Sequence, residues 1–465
     1  MEDLVAWAED PVRRLAGRTV WMVNSTAKGG GIAEMMPHQV ALLRELGVQT
    51  EWVVIDSEDT RFFRLTKHLH NLIHGHGVAD LAPSDRELHE GVNRRNAPFL
   101  AARIRPGDLL VVHDPQPMPL ASILKEQASI RAVWCCHIGL DEQTPATRAA
   151  WEFLAPFAGA YDHGVFSAIE YVPPSFRGRS TIIRPAINPV SDKNRELHLH
   201  KLVGVLTNSG LANGSGPLIT GRYEATAERL QPDGSFVEAD QGEDIGLLTR
   251  PIVTQISRWD VLKGFLPLLH AFAELKRTAA NGGCAAQPHH RRRLELVRLV
   301  LAGPDAGAIQ DDPEAKDILN ELRSAYRALE RVIQRDVVVL SLPIASVRRN
   351  ALMTNALQRA STIVVQNSLR EGFGLTVTEA MWKRLPILTN SQACGPRQQV
   401  VDGEHGRVVD DPTDTRALAD AMNAMLADGS SRERWGRAGQ RRVRDEFLLF
   451  AQVKSWLRLL SRLVA

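Results

Sequence analysis

The feature that most constrains the fold of this 465-residue chain is a regular alternation of short apolar runs with amphipathic stretches. This alternation is typical of parallel βα units. The first half predicts strands at residues 19–24, 50–55, 108–113, 132–137 and 163–167. The second half restarts the pattern, with predicted strands at residues 252–257, 296–302, 337–340, 362–366 and 386–389. Because a chain of this length exceeds one ordinary core, we expect two doubly wound, Rossmann-like α/β domains whose strand ends face a cleft.

The domain boundaries follow from changes in composition along the chain. Residues 206–249 are rich in Gly, Asn, Ser, Asp and Glu with weak apolar periodicity, which predicts an irregular insertion or linker. We therefore expect an N-terminal domain at residues 1–205 and a C-terminal domain at residues 250–440. Helical spacing of apolar residues predicts a final helix at residues 441–465.

The charge balance and the apolar runs exclude some classes of partner. Lys and Arg number 56 against 54 Asp and Glu, so a net charge of +2 gives no electrostatic reason to expect nucleic acid. The longest apolar runs are too short to span a bilayer, and the first residues lack the basic and apolar regions of a signal peptide. Adjacent Cys135 and Cys136 have neither zinc nor redox spacing, and four cysteines form no disulfide framework. A cytoplasmic protein without membrane contact is expected.

The segment from Ser368 to Glu379 carries the strongest functional signal. Glu371 and Glu379 are separated by seven residues, with Gly372 and Gly374 between them and an apolar helix beginning just after. Each carboxylate can accept hydrogen bonds from two neighbouring hydroxyls, and a helix start offers free N–H groups to an anion. The segment could hold the sugar, the diphosphate and the ribose of a nucleotide sugar. If the two glutamates stood alone, the simpler interpretation would be two acids that face solvent on a helix. The neighbouring residues therefore decide between this interpretation and nucleotide-sugar binding.

Two cations stand near another predicted strand end of the second half. Arg258 ends the strand, and Lys263 begins the following helix. Both can point into the cleft, neutralise a diphosphate and stabilise the charge that grows as it leaves. Either cation alone would be interpreted as part of a surface salt bridge, but the pair beside the two glutamates favours phosphate.

A glycine run follows the first predicted strand. Gly29, Gly30 and Gly31 open the next helix, where the backbone can approach an anionic ligand closely. The run matches neither the P-loop nor the dinucleotide-binding fingerprint, so a flexible strand-to-helix turn remains an equal interpretation.

Polar side chains end two more strands of the first half. His113 ends one of them and is followed by Asp114 and Gln116, and His137 ends the other. Such groups can bind the hydroxyls of a neutral polar substrate. A single buried histidine is more often a satisfied core residue, but two strand ends converging on one cleft favour substrate contact.

Taken together, these residues resemble a retaining GT-B glycosyltransferase of the Glu-x7-Glu type. Within that family the resemblance is to trehalose glycosyltransferring synthases and to retaining trehalose phosphorylases. The blocks that carry it include NSTAKGGGIAEM, VHDPQPMPL, ISRWDVLKG and SLREGFGLTVTEAMWK. They spread over most of the chain except residues 206–249 and the N- and C-terminal ends.

The resemblance implies roles for individual residues. Arg258 and Lys263 would bind the donor diphosphate, Glu371 the hydroxyls of the donor glucose, and Glu379 the ribose. Leu375 and Thr376 would contact phosphate through their backbone, and Gly30 and Gly31 would approach the donor. His137 would lie beside the transferred sugar. Asp114 and Gln116 would face the acceptor. No metal and no cofactor are expected, and the C-terminal helix would return to the first domain.

The chain departs from the family pattern in two places. The block that usually reads Trp-Arg-Cys-His-Ile-Asp has Cys135 in place of the arginine and Gly139 in place of the aspartate, with Asp141 two positions later. A Gly-Gly-Ile-type loop is replaced by residues 391–396, SQACGP. Both departures lie where the specificity for donor or acceptor could be set.

The resulting hypothesis is a hexosyltransferase that moves glucose from a nucleoside-diphosphate glucose to glucose, with retention, forming trehalose. The alternatives are a trehalose phosphorylase, a transferase of the same fold with another acceptor, and a non-catalytic sensor of sugar nucleotides. The expected partners are a sugar nucleotide and a small sugar acceptor, and a homodimer is left open.

Overall fold

The computed structural model describes residues 2–27, 31–214, 220–282, 287–307 and 314–465. The chain divides into two compact units, which we call the first unit (Met1–Asn188 with Glu446–Ala465) and the second unit (Pro189–Asp445). Each unit has one mainly parallel sheet together with helices, so the predicted α/β class is confirmed.

The first unit contains all five strands that the sequence predicts for the first half, and a sixth that it does not. Its elements up to Asn188 are α1 (Glu2–Arg14), β1 (Val20–Asn24), α2 (Gly31–Glu45), β2 (Thr50–Val54), α3 (Thr60–Ile73), α4 (Pro83–Ala101), β3 (Leu109–His113), α5 (Leu120–Lys125), β4 (Arg131–Cys136), α6 (Pro145–Ala158), β5 (His163–Phe166) and β6 (Ser180–Ile182).

The sheet of the first unit is parallel throughout, with strand order β2-β1-β3-β4-β5-β6. Strands β1 and β3 are buried along their whole length, as expected where helices cover both faces. The order reverses between β1 and β3. In doubly wound sheets the carboxyl ends of two such strands border a ligand crevice, so His113 at the end of β3 lies at the favoured edge.

The second unit begins after Asn188 and contains most of the remaining elements. They are α7 (Leu199–Asn208), β7 (Glu228–Leu230), β8 (Phe236–Glu238), β9 (Ile252–Ile256), α8 (Phe265–Ala280), α9 (Pro288–Leu296), β10 (Arg298–Pro304), α10 (Ala315–Arg327), α11 (Arg331–Gln334), β11 (Val337–Leu342), α12 (Val347–Arg359), β12 (Ile363–Val365), α13 (Leu375–Trp382), β13 (Ile387–Asn390), α14 (Cys394–Gln399), β14 (Gly406–Val409), α15 (Thr415–Ala427) and α16 (Gly429–Glu446). The chain ends with α17 (Leu449–Leu463).

The sheet of the second unit has the order β14-β13-β12-β9-β10-β11-β7-β8. The six strands from β14 to β11 are parallel and follow the Rossmann order. Here the order reverses between β9 and β12. The loops after these two strands are the ones that carry Arg258, Lys263 and Glu371.

The prediction of an irregular insertion at residues 206–249 is wrong in part. This segment supplies β7 and β8, and β7 pairs antiparallel with β11, with Arg229 opposite Leu340. Leu230 and Ile245 are buried in the core of the second unit. Each strand has only three residues, which is too short for alternation between apolar and polar residues to be recognised in the sequence.

The division between the units falls earlier than the predicted boundary at residue 205. The Asn355 side-chain amide on α12 donates hydrogen bonds to the backbone carbonyls of Asp192 and Arg195, both at 2.9 Å. These contacts hold the segment after Asn188 within the second unit. At the other end, α16 runs to Glu446 without a break at residue 440, so the second unit extends to Asp445.

The last helix, α17, belongs to the first unit. Its residues Trp456 and Leu460 are buried in one hydrophobic cluster with Leu4 of α1 and Val20 of β1. An apolar face of this kind stabilises a helix through tertiary packing. Among the described residues, no helix combines the length and the apolar character needed to cross a membrane.

Candidate active site

In the second unit, the predicted donor residues lie at the sheet edge where the strand order reverses. Arg258 follows β9, and Lys263 ends a 3-10 turn, Val261–Lys263, that leads into α8. Glu371 lies in the loop after β12. Because the ends of β9 and β12 are neighbours, residues far apart in sequence meet at this edge.

The central contact of this site is an ion pair between Lys263 and Glu371. The Lys263 Nζ lies 2.5 Å from Glu371 Oε2, and the two side chains are only 13% and 16% exposed. The Ser368 hydroxyl donates to the same carboxylate oxygen at 3.3 Å. The pair therefore places a positive and a negative side chain together at this sheet edge, where limited contact with water strengthens electrostatic interaction with a ligand.

Lys263 is held in place by the turn that precedes it and by the loop after β12. Asp260 Oδ1 accepts a hydrogen bond from the Leu262 backbone N–H at 2.9 Å and caps the turn. Gly264 follows with φ 60°, and a Cβ atom there would lie 2.1 Å from the backbone oxygen of Asn367. Only glycine permits this approach, so the two loops are fixed against each other.

Arg258 lies beside the same turn. Its guanidinium Nη2 is 3.8 Å from Asp260 Oδ2, and its side chain is 38% exposed while that of Asp260 is 5% exposed. The buried carboxylate thus caps the turn and attracts the arginine as well. Arg258 and Lys263 therefore both lie in the short segment between β9 and α8, and its turn fixes their positions.

The start of α13 follows directly after Glu371. Gly374 has φ 82°, and a Cβ atom there would lie 3.2 Å from Glu371 Cγ, which favours glycine at the cap. Leu375 and Thr376 form the first turn of the helix, whose N–H groups and dipole attract anions. The Gly395 N–H donates to the Glu371 carbonyl at 3.1 Å, so the atypical loop at residues 391–396 contacts the site.

Glu379 lies one turn further along α13 and is buried, with 2% of its surface exposed. The Lys193 Nζ lies 3.2 Å from Glu379 Oε1. Lys383 donates to the Glu379 backbone carbonyl at 3.2 Å and to Gln358 Oε1 at 2.7 Å. Burial lowers the pKa of Lys383 to about 7, although the Glu379 carboxylate opposes this shift. Sequence reasoning missed both lysines; only the spacing of Lys383 four residues after Glu379 signals a shared helix face.

In the first unit, Asp114 is held in an unusual backbone conformation at the end of β3. Its φ is 62°, which is uncommon for a residue with a side chain and is tolerated best by Asp and Asn. Its backbone N–H donates to the Cys135 carbonyl at 2.8 Å, and its Oδ1 accepts from the His137 N–H at 2.9 Å. Burial raises the pKa of the Asp114 carboxyl to about 7.

His113, Cys135 and His137 form a compact cluster beside Asp114. His113 Nδ1 lies 3.1 Å from His137 Nε2, and Cys135 Sγ lies 3.3 Å from the same nitrogen. Burial lowers the pKa of His137 to about 4 and that of His113 well below its usual value. Burial also raises the pKa of the Cys135 thiol, so the cluster is electrically neutral at neutral pH.

Gln116 presents a side-chain acceptor that no described residue of the chain uses. Its backbone carbonyl accepts hydrogen bonds from His89 Nε2 and Asn93 Nδ2, both at 3.0 Å. Its Oε1 is buried and has no hydrogen-bond partner among the described residues. A buried acceptor without a partner is costly, and a ligand hydroxyl could satisfy it.

Of the two glycines predicted to approach the donor, Gly31 begins α2 and is exposed, while Gly30 lies outside the described residues.

The structure explains why position 139 carries glycine. A Cβ atom on Gly139 would lie 2.2 Å from Cγ of the Tyr171 ring, which is buried. An aspartate, the residue usual in the resembling family, cannot occupy this space while Tyr171 keeps its position. The departure at position 139 is therefore linked to the packing of an aromatic ring.

Comparison with known proteins gives one family match in each half of the chain. Residues 22–173 match the family model for the N-terminal domain of trehalose synthase, and residues 240–442 match that of glycosyl transferases group 1. The trehalose synthase of Pyrococcus horikoshii is 31% identical over 99% of this chain and 94% of its own length. The trehalose phosphorylase of Grifola frondosa is 24% identical over 94% of this chain and 56% of its own length.

Solved structures confirm the predicted GT-B fold. The α,α-trehalose 6-phosphate synthase of Burkholderia multivorans is similar with a TM-score of 0.67 and 17% sequence identity, and the match covers 96% of each chain. At this identity the likeness concerns the fold alone.

Proposed function

Since the chain belongs to the trehalose synthase family of hexosyltransferases, we propose that it transfers glucose from a nucleoside-diphosphate glucose to free glucose, with retention of configuration, and forms trehalose. The observation that carries this proposal is the Lys263–Glu371 ion pair at the edge where β9 and β12 end. A cation and a carboxylate in contact suit a ligand that is anionic on one side and rich in hydroxyls on the other.

The second unit would bind the donor. Lys263 and Arg258 would contact the diphosphate and stabilise the negative charge that grows on it as the glucosyl bond breaks. Glu371 would accept hydrogen bonds from hydroxyls of the donor glucose. The backbone N–H groups of Leu375 and Thr376 would bind phosphate oxygens at the start of α13.

Glu379 would accept hydrogen bonds from the ribose hydroxyls. Its burial supports this role, because a carboxylate with little contact with water binds hydroxyl groups strongly. The Lys193 ammonium, 3.2 Å from Glu379 Oε1, would have to share the carboxylate with the ribose or move away.

The first unit would bind the sugar that accepts the glucosyl group. Asp114 and Gln116 would contact its hydroxyls, and the buried Gln116 Oε1 without a protein partner supports this role. His137 would lie beside the transferred sugar, and its Nδ1 also has no hydrogen-bond partner among the described residues. Gly30 and Gly31 would approach the donor from the start of α2.

The proposed reaction needs neither a metal nor a cofactor. The acceptor hydroxyl would attack the anomeric carbon on the face from which the diphosphate departs, and a leaving-group oxygen would take its proton. Neither Glu371 nor Glu379 acts as a nucleophile in this scheme. Holding both substrates in one geometry lowers the entropic barrier to transfer.

A trehalose phosphorylase is the second candidate. In that reaction inorganic phosphate would contact Lys263 and Arg258 in place of a nucleotide. The ion pair between Lys193 and Glu379 favours this alternative, because a carboxylate that already has a cationic partner has less need of a ribose.

The test is a transfer assay with the full-length chain. Each common nucleoside-diphosphate glucose is incubated with 13C-labelled glucose, and the linkage in any disaccharide is identified by NMR. We expect labelled trehalose and release of the nucleoside diphosphate. Trehalose formed only from glucose 1-phosphate would favour the phosphorylase, and tight binding of the sugar nucleotide without any product would favour a sensor.

A further inference from the structure

The first unit contains a group of metal-ligating side chains that the proposed reaction does not use as a group. The register of β3 and β4 places His113 directly opposite Cys135, and His137 follows one residue after β4 ends. One potential ligand atom from each side chain lies within 4.8 Å of the other two. Of the three residues, only His137 has a role in the proposed transfer.

Two of the three separations within this cluster are close to those of a tetrahedral zinc site, and the ligand atoms of His113 and Cys135 lie within 4.8 Å of each other. Bond lengths of about 2.0–2.1 Å to nitrogen and about 2.3 Å to sulfur place two nitrogens about 3.4 Å apart, and sulfur about 3.6 Å from nitrogen. The observed separations from His137 Nε2 are 3.1 Å to His113 Nδ1 and 3.3 Å to Cys135 Sγ. For these two separations an ion requires an expansion of only a few tenths of an ångström, together with a turn of the two rings, whose planes are within 4° of parallel.

Hydrogen bonding alone does not satisfy the cluster. One ring nitrogen carries either one proton or one lone pair, so His137 Nε2 cannot make full hydrogen bonds with both His113 Nδ1 and Cys135 Sγ. A metal ion would use the inner lone pair of each ring and the thiolate at the same time.

The chemistry of the three groups selects the kind of ion. Two neutral imidazoles and a thiolate suit Zn²⁺ and its analogues Co²⁺ and Cd²⁺, whereas Mg²⁺ and Ca²⁺ prefer oxygen ligands. On binding, the Cys135 thiol would release its proton to solvent, and the resulting thiolate would offset one of the two positive charges of the ion. His137 is less buried than the other two ligands and offers the side from which an ion can enter.

We propose that His113 Nδ1, Cys135 Sγ and His137 Nε2 bind one Zn²⁺ ion, with the fourth coordination position open to water or to a ligand. Catalytic zinc sites have this composition of three protein ligands and one exchangeable position. Here the ion would instead turn the His137 ring away from its present orientation. If the proposed function holds, bound zinc should slow glucosyl transfer, and this expectation rests on that function.

The binding test uses the reduced full-length chain without an affinity tag, and Co²⁺ as the spectroscopic probe. A thiolate-to-cobalt charge-transfer band should appear, saturate at about one equivalent and disappear when Zn²⁺ is added. Calorimetric titration with Zn²⁺ should give the same stoichiometry. Absence of the cobalt band in the wild-type chain overturns the proposal.

Two variants and one control assign the ligands. Cys135→Ser and His113→Gln should each weaken Zn²⁺ binding at least about 100-fold, because losing a ligand exceeds the 10–100-fold effect of second-shell changes. Cys136→Ser is the matched control, since the Cys136 thiol is directed to the Ile138 carbonyl at 3.3 Å and not into the cluster. An unchanged cobalt band in Cys135→Ser contradicts the assignment, as does its loss in Cys136→Ser. Because His113→Gln leaves every thiol in place, it tests the site even when one cysteine variant fails to fold.

The activity arm separates this inference from the proposed function. In the transfer assay, Zn²⁺ should lower the rate of the wild-type chain and of Cys136→Ser, and chelation should restore it. Cys135→Ser should not respond to Zn²⁺ at the same concentration. A chain that binds zinc at Cys135 but makes no trehalose supports the metal site and refutes the transfer reaction. A chain that makes trehalose but shows no Cys135-dependent zinc binding supports the transfer reaction and refutes the metal site.

Discussion

The two units place polar residues at equivalent edges of their sheets but use opposite electrostatics there. In the second unit, Lys263 and Glu371 face each other as a 2.5 Å ion pair. In the first unit, His113, Cys135 and His137 form a neutral buried cluster, with burial lowering the pKa values of both imidazoles. The difference fits the proposed function, in which the second unit would bind the charged part of the donor and the first unit the hydroxyl groups of the acceptor.

The largest effect should come from removing the charge of the second unit. Lys263→Met should lower kcat about 10²–10³-fold, the range seen when one stabilising donor of a developing negative charge is lost. Lys201→Met removes an exposed lysine of the same unit and is the matched control. Initial rates of disaccharide formation at saturating donor measure both. A rate for Lys263→Met within about tenfold of the wild type would remove the leaving-group role.

A packing change should have the next largest effect, and it tests the first unit. Gly139→Ala places a Cβ atom against the buried Tyr171 ring, so it should destabilise the first unit by about 1–3 kcal/mol, as overpacking does. Gly159→Ala is the control, since its φ is −63° and no atom would lie within 4 Å of the new Cβ. Denaturant midpoints followed by tryptophan fluorescence compare the two variants. Equal midpoints would show that Tyr171 moves aside freely.

The smallest change at any single step of the experiment is the pH dependence of stability in the second unit, which builds up gradually over several pH units. Burial lowers the pKa of Lys383 to about 7, from about 10.5 in the unfolded chain. The unfolded state therefore binds more protons between these two pH values, and the stability should rise with pH across that window by at most about 1.4 kcal/mol per pH unit. Lys383→Met should flatten this rise, whereas Lys201→Met should leave it unchanged. Melting temperatures measured from pH 7 to pH 10 test the difference between the two variants. If the stability of Lys383→Met rises with pH as much as that of the wild type, another group causes the rise.

The part of the candidate site that lies in the second unit could be located from the sequence because its signal is local. Glu371, Gly374, Thr376 and Glu379 lie within one short segment, and a glycine that opens a helix after a strand is typical of anion-binding loops. Lys193 could not be found in this way, because it lies far from Glu379 in the chain and reaches it only through folding.

The first unit shows where sequence spacing gives no information. Cys135 has no second ligand at a zinc-finger spacing, so the sequence predicts no metal motif there. The pairing of β3 with β4 brings His113 next to Cys135, and strand register is fixed by the packing of the sheet and not by the ligands themselves. The strands that the sequence predicts are continuous apolar runs, and even the three-residue β12 (IVV) is one of them. By contrast, β6 (STI), β7 (ERL) and β8 (FVE) are short and also contain polar residues, so they could not be recognised.

The central claim is that the second unit binds a sugar nucleotide, with the sugar at Glu371 and the ribose at Glu379. Calorimetric titration of Glu371→Gln and Glu379→Gln with a nucleoside-diphosphate glucose and with the nucleoside diphosphate alone tests it most directly. Glu379→Gln should weaken binding of both ligands about 10–100-fold, as the loss of hydrogen bonds to a charged group does, while Glu371→Gln should weaken only the ligand that carries glucose. If Glu379→Gln binds both ligands as tightly as the wild type, or if Glu371→Gln weakens both equally, the assignment of the two carboxylates is wrong.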